Sequence, residues 1–259
     1  MSVKTHSPTP RDFAIFAALR THRRLLASQV RRLFFRDRAD RLATPQTVHG
    51  RLGRLVSLGY LDVVRLDRGR GSGPYAYGLS ARGSRIIGAP SRRRGHPGPL
   101  WHDIAVAELR VNLDLALCDA GGELVEWLGE GDLRSLLHGV QAPRPDGLAH
   151  WRLDGREGAI LFEIDAGTEG FALLTAKVHR YAGWFRSGRH RELVPGLRLR
   201  PRVAFVAPRA RAARLAAVLR ALRTATTVFV GVDTEVLAEP LTQRWWRNDV
   251  QQLESLLAS

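Results

Sequence analysis

Three carboxylates in the second half of the chain are spaced so that they could act together. Glu163 and Asp165 stand two positions apart in the apolar run 159–165, so on a strand both side chains project from the same face. Asp146 heads the segment that would pair with this strand, which could bring it beside them. Converging carboxylates repel one another unless a cation neutralises them, and oxygen ligands of this kind suit Mg²⁺ or Mn²⁺. These residues therefore predict a metal site whose ligands are Asp146, Glu163 and Asp165.

A basic side chain follows these acids on the next predicted helix. It belongs to Lys177, one of only two lysines among 40 lysine and arginine residues. Bound divalent ions can activate water and stabilise the charge that develops on a phosphodiester, while an ammonium group could hold the scissile phosphate. The predicted chemistry is therefore phosphodiester hydrolysis, with Asp146, Glu163, Asp165 and Lys177 as the catalytic residues. The alternative interpretation is that these acids are solvated charges at exposed strand ends.

A mixed sheet with helices on its faces must position these residues. From residue 100 onward the pattern follows the order αβββαβ and then αβ, which indicates an α/β domain. Helices are predicted over 101–117, 171–185 and 209–222, and strands over 123–128, 148–153, 159–165, 202–207 and 226–232. Near the end, Trp245-Trp246 could form a packing lid or an interface. Residues 248–257 are predicted to form an amphipathic tail helix that could mediate self-association, so a homodimer is one expectation.

The positive charge is concentrated at the N-terminal end of the chain. The 259 residues carry a formal net charge of +15. Residues 1–99 hold 20 Lys and Arg against 5 Asp and Glu, whereas residues 100–259 hold 20 of each. Such a block indicates binding to a polyanion, and nucleic acid is favoured over a membrane because no basic amphipathic anchor helix is present.

Composition argues against several classes of protein. With 44% hydrophobic residues the chain can build a core, so global disorder is not expected. The single cysteine, Cys118, excludes a disulfide framework and any zinc module built on cysteines. No apolar stretch approaches the roughly 18 residues of a membrane span. The N-terminus also lacks an apolar signal core, so we expect a cytoplasmic protein with no membrane partner.

The first part of the chain has the element order of a winged helix-turn-helix. Apolar spacing predicts a helix over 12–20, a second one capped by Ser28, and a third that begins at Thr44-Pro45. The third helix is predicted to end at Gly59. Strands over 60–66 and 75–79 flank a tip rich in glycine and arginine, and a short helix over 80–87 closes the segment.

This order defines the domain organisation that we predict. Residues 1–88 form a winged-helix DNA-binding domain, and residues 89–99 form a basic linker rich in Pro and Gly. Residues 100–259 form the α/β domain with its tail helix. A winged helix places its third helix in the major groove of double-stranded DNA and its hairpin tip on the backbone or in the minor groove. The predicted DNA contacts are therefore Gln46, Thr47, His49, Arg51 and Arg54 on the helix, Arg68 and Arg70 at the tip, and Arg92, Arg93 and Arg94 in the linker.

These motifs resemble those of a known family. Pro145-Asp146-Gly147 followed by Glu163-Ile164-Asp165 is similar to the core of PD-(D/E)xK nucleases, and the αβββαβ order matches that restriction-endonuclease-like fold. The whole chain resembles the replication-relaxation family of plasmids and other mobile elements. Residues 49–83, Trp101-His102 and residues 144–184 carry this resemblance, which covers most of residues 10–235.

The resemblance implies roles for individual residues. By the family pattern, Asp146 and Glu163 would hold Mg²⁺ or Mn²⁺. The pattern has lysine two places after the acid, where this chain has Asp165. Asp165 would then be a third ligand, with Lys177 as a relocated lysine.

The sequence leaves the activity open. One interpretation is a DNA-binding protein of a plasmid or mobile element that nicks duplex DNA with Mg²⁺ or Mn²⁺. Another is a non-enzymatic regulator or accessory factor that needs no metal, in which an inactive nuclease-like domain recruits a replication or transfer protein. An RNA-binding module is a third.

Overall fold

A computed structural model gives the structure of the chain. It describes residues 7–37, 39, 41–67, 72–89, 100–137, 143–165, 170–193, 200–222, 227–241, 244–247 and 253–257. The chain divides into two units, residues 1–107 and residues 108–259. This division lies beyond the predicted linker because the Gln29 side chain donates to the Ile104 carbonyl at 3.1 Å, which places the residues around Ile104 in the first unit. Residues 90–99 of the linker lie outside the described ranges.

In the part of the first unit that the structure describes there are four complete helices, the beginning of a fifth and a small sheet. In chain order its elements are α1 Pro10–His22, β1 Leu25–Leu26, α2 Ala27–Phe34, α3 Pro45–Ser57, β2 Leu61–Asp67, β3 Ser72–Leu79 and α4 Ala81–Ile86. The three strands form an antiparallel sheet in the order β1-β3-β2. The predicted helices and hairpin are all present, and β1 is an additional strand. The core contains Ile15, Phe16, Leu19, Val30, Val48, Leu52 and Leu55, all nearly or fully buried.

Local signals determine where the helices of the first unit begin and end. The Thr44 side chain accepts the Thr47 N–H at 3.3 Å, and Pro45 takes the first position of α3, as predicted. Gly59 ends this helix with a positive φ of 74°. The predicted cap of α2 is wrong: the helix already includes Ser28, and the Leu26 N–H donates to the Gln29 side chain at 2.8 Å instead.

The second unit is a mixed sheet with helices. Its elements are α5 Leu100–Asp119 (which begins in the first unit), β4 Glu123–Gly129, α6 Glu130–Leu136, β5 Gly147–Leu153, β6 Arg156–Ile164, α7 Phe171–Arg186, a 3₁₀ turn Arg189–Glu192, β7 Arg202–Ala207, α8 Arg209–Leu222, β8 Val228–Val232, α9 Asp233–Val236, β9 Trp245–Arg247 and β10 Leu253–Glu254. The sheet order is β10-β9-β8-β7-β6-β5-β4. Pairs β6-β7 and β7-β8 are parallel and the others antiparallel, so the predicted mixed sheet is confirmed. The short helices α6 and α9 were not predicted.

The C-terminal end differs from the prediction of a tail helix. Leu253 pairs with Trp246 and Glu254 pairs with Trp245, so this segment adds strand β10 to the sheet. Trp245 is fully buried, and its indole N–H donates to the Pro240 carbonyl at 2.9 Å, which makes it a core residue. Pairing to β9 satisfies backbone groups that a helix over 248–257 would otherwise pair within itself. Residues 248–252 of the predicted helix lie outside the described ranges.

Strand β6 directs its side chains alternately to the two faces of the sheet. Phe162 stacks on Trp127 of β4, with ring centroids 5.9 Å apart. Glu163 projects to the opposite face, where it contacts Tyr181 of α7. Among the helices in the described ranges, none is long and apolar enough to span a membrane.

Candidate functional site

Asp146 is fixed at the junction of β5 and β6. It precedes the first residue of β5, and its N–H donates to the Phe162 carbonyl at 2.9 Å. Its carboxylate in turn accepts the Ile164 N–H at 2.7 Å. The backbone hydrogen bond extends the pairing of β5 with β6 by one residue. The bond to the side chain holds the carboxylate beside the end of β6.

Glu163 is buried and receives two hydrogen bonds from α7. Its side chain is only 3% exposed, its Oε2 lies 2.9 Å from Lys177 Nζ, and its Oε1 accepts the Tyr181 hydroxyl at 2.7 Å. Burial raises the pKa of Glu163 to about 7, and the nearby charge of Asp146 acts in the same direction. Lys177 and Tyr181 act in the opposite direction but do not offset the burial. Burial and the charge of Glu163 raise the pKa of Tyr181 well above its ordinary value.

Asp165 pairs with a different helix. Its Oδ2 accepts from Arg211 Nε of α8 at 2.6 Å, and its backbone N–H donates to the Val206 carbonyl at 2.8 Å. Asp165 is 5% exposed, so the guanidinium compensates the desolvation of its charge. The structure thus brings Asp146, Glu163 and Lys177 together, whereas Asp165 forms its own ion pair.

This arrangement does not fit the predicted three-carboxylate metal site. Within the described part of the chain, no group of three or more His, Cys, Asp or Glu side chains is placed to hold a metal ion. Both oxygens of Glu163 already accept from α7, and Arg211 neutralises Asp165. The physical reason is that each buried carboxylate has acquired a cationic or hydroxyl donor of its own.

The sequence patterns did not predict two residues that contact these carboxylates, Tyr181 and Arg211. Tyr181 lies one helical turn after Lys177, so both face the same side of α7, and that spacing could have indicated it. Arg211 is 46 positions from Asp165 and no local pattern connects them.

Helix α3 carries five of the predicted DNA contacts, and four of them are exposed. Gln46, Thr47, His49 and Arg54 are exposed. Together they form a polar surface that includes the cation of Arg54, on a segment that is itself strongly basic. The predicted contacts at Arg68, Arg70, Arg92, Arg93 and Arg94 lie outside the described residues.

Arg51 differs from its neighbours on α3 because it pairs with a buried acid. Its Nε donates to Asp12 Oδ1 at 2.8 Å, and its Nη2 donates to Asp12 Oδ2. Asp12 is 0% exposed and also accepts the Thr9 N–H at 2.6 Å, which caps α1. Burial works against the ionised form of Asp12, but the hydrogen bonds from Arg51 and Thr9 keep its pKa below the ordinary value. Arg51 therefore joins α3 to the beginning of α1, and its guanidinium already donates two hydrogen bonds to Asp12.

Comparisons with known proteins match this chain to one protein family and to solved structures. The model of the replication-relaxation family matches residues 16–197. The structure of the restriction endonuclease FokI is 13% identical with a TM-score of 0.30, over 88% of this chain and 42% of that one. FokI bound to DNA matches with the same identity and TM-score, over 75% and 38% of the two chains. The chain thus spans less than half the length of the FokI structures. No curated protein matches it. Since the family match extends over more than half of its residues, the chain belongs to the replication-relaxation family.

Proposed function

We propose that this protein binds duplex DNA of a plasmid or other mobile element, and that its first unit is a winged helix. The observation that carries the proposal is the exposed polar face of α3, which bears Gln46, Thr47, His49 and Arg54. It lies in the segment that holds all of the excess positive charge, residues 1–99. Family membership agrees with a role in replication or mobilisation.

The side chains on α3 suit the edges of bases and the phosphate backbone. Amide, imidazole and guanidinium groups can donate to acceptors in the major groove, and a guanidinium can bind guanine through two parallel hydrogen bonds. We assign a contact with a backbone phosphate to Arg54, which is exposed, and a positioning role to Arg51, which holds α3 against α1 through Asp12. The hairpin of β2 and β3 would then lie against the DNA backbone.

A pair of arginine variants tests DNA binding. Arg54→Gln removes one exposed cation from α3, and we expect duplex affinity to fall about tenfold. Arg134→Gln removes one exposed cation from α6 in the second unit and should leave affinity unchanged. Fluorescence anisotropy of full-length protein on a labelled duplex measures both. Equal affinities for the two variants would contradict the assignment of α3.

For the second unit we propose a non-enzymatic role, in which it serves as an accessory module that recruits a replication or transfer protein. The support is that Lys177 and Arg211 neutralise two buried acids, Glu163 and Asp165, and that the Tyr181 hydroxyl occupies the second oxygen of Glu163. A buried carboxylate that already has a positive partner attracts an added cation less strongly, because the local charge is balanced.

DNA nicking with Mg²⁺ or Mn²⁺ is a second candidate, favoured by one observation. Asp146 lies near enough to Glu163 for its charge to raise the pKa of Glu163, and Lys177 contacts the same carboxylate. The test is incubation of supercoiled plasmid with either metal. Nicked product from wild type and none from Glu163→Ala would establish nicking. If neither wild type nor Glu163→Ala nicks any of several DNA substrates, the result supports the accessory role.

A further inference from the structure

The first unit contains a cavity beside the duplex contacts proposed on α3, and two of those contacts, Thr47 and Arg54, contribute to its walls. It has a volume of about 590 Å³ and lies between the first residues of α1 and one face of α3. Pro10 and Arg11 of α1, Phe35 after α2, and Gly50, Arg51 and Arg54 of α3 contribute to its walls. A space of this size exceeds what one phosphate group would fill, and a mononucleotide fits within the usual range of ligand pockets.

The charge of this cavity is positive. Three arginines line it: Arg11, Arg51 and Arg54. Among the described residues, Arg51 pairs with the carboxylate of Asp12, and the other two have no carboxylate partner there. Arg11 and Arg54 are both exposed, and both line the cavity. A guanidinium without an acidic partner binds phosphate oxygens well. The ligand therefore carries an anionic group.

The remaining wall is made largely of carbon. It includes the exposed ring of Pro10 and the guanidinium of Arg11, which lies over the ring of Phe35, 4.9 Å from its centroid. Phe35 is 3% exposed, so Pro10 and Arg11 are the surfaces that a base can reach. Flat guanidinium and aromatic groups are the surfaces on which unpaired bases stack. The ligand therefore combines an anionic group with a flat apolar body.

Gly50 keeps one side of this cavity open. A Cβ placed on Gly50 would meet nothing within 4 Å, so packing does not require glycine there. Glycine inside a helix costs about 1 kcal/mol relative to alanine, so its presence is unfavourable for α3 itself. Gly53 has the same open surroundings on the same helix but does not line the cavity.

We propose that the cavity between α1 and α3 binds one unpaired nucleotide of a DNA strand, its phosphate on Arg11 and Arg54 and its base against the apolar wall. A nucleotide inside a duplex cannot enter, because its neighbours cover both faces of its base. This inference rests on the proposed DNA binding and adds a preference for DNA with a single-stranded segment.

The test compares two DNA molecules on the full-length protein. One is a blunt duplex, and the other is the same duplex with a short single-stranded extension that contains 2-aminopurine. We expect wild type to bind the extended DNA about tenfold more tightly than the blunt DNA, with quenching of 2-aminopurine as it stacks. Gly50→Leu fills the cavity and should bring this ratio to about one, whereas Gly53→Leu should retain it. Circular dichroism confirms that both variants fold.

The possible failures are distinguishable. Tight binding of the blunt duplex with no preference for the extension overturns this inference and leaves the proposed function intact. Binding of neither DNA overturns the proposed function and this inference together. A third arm uses free dAMP: saturable binding of dAMP without any preference for extended DNA overturns the assignment to a DNA strand.

Discussion

Lys177 of α7 and Glu163 of β6 form an ion pair with Nζ 2.9 Å from Oε2, and it joins the helix to a carboxylate in the interior of the sheet. The second oxygen of Glu163 accepts from Tyr181, one turn further along the same helix. Lys177 balances the negative charge of Glu163, which the sequence had assigned to a metal ligand, and the burial of Glu163 makes the stability of the second unit depend on pH.

Stability should decrease as pH rises through neutrality. The pKa of Glu163 is raised from its ordinary 4.5 to about 7, so the folded state holds this proton more tightly than the unfolded state. The bound proton on Glu163 therefore contributes its full amount to the free energy of unfolding below about pH 4.5. This contribution is lost as pH rises through 7. The loss amounts to about 3 kcal/mol.

Replacing the titrating group checks this dependence. Glu163→Gln cannot ionise and should not show the decline between about pH 5 and pH 8 in thermal unfolding. Glu126→Gln, at an exposed position of β4, is the control and should decline as wild type does. The same decline in Glu163→Gln would show that another group is responsible.

Loss of the lysine should make the second unit more sensitive to alkaline pH. Lys177→Met removes the cation that favours ionised Glu163, so the pKa of Glu163 should rise further. We expect an added loss of about 2 kcal/mol at pH 8 and little effect at pH 5. Urea unfolding at both pH values measures it, with Arg186→Met on the exposed end of α7 as the control. A loss independent of pH would instead indicate a packing defect.

Two arginines one turn apart on α3 should have separable effects. Arg51→Gln leaves the buried Asp12 without its cation, so we expect the first unit to lose about 3 kcal/mol of unfolding free energy. Arg54→Gln, at an exposed position, should change stability by less than about 0.5 kcal/mol. Denaturant unfolding of the two variants side by side provides the measurement. Similar losses in both would contradict the positioning role of Arg51.

Features determined by near neighbours in the chain were predictable. Thr44, Pro45 and Gly59 bound α3 through interactions within a few residues, and their types alone indicate the helix. The alternation of strand side chains likewise placed Glu163 and Asp165 on one face. The order of the longer strands and helices followed from the same periodicities, whereas β1, α6, α9 and the C-terminal strands were not predicted.

Features that depend on distant partners were not predictable. Asp12 and Arg51 are 39 positions apart, and Asp165 and Arg211 are 46 apart, so packing of whole elements determines each pair. The segment 248–257 has an amphipathic pattern that suits a helix, yet pairing of Leu253 with Trp246 places it in the sheet. A short apolar pattern does not by itself distinguish these outcomes.

The salt dependence of binding is the most direct test of whether this protein binds duplex DNA through its phosphates. Full-length protein is titrated onto a labelled duplex between about 50 and 200 mM salt, since each phosphate contact releases counterions and steepens the dependence. If the first unit binds the phosphate backbone, affinity falls at least tenfold over this range, and Arg54→Gln reduces the slope of log K against log salt by about one. Affinity that does not change with salt, or no binding at the lowest concentration, would contradict it.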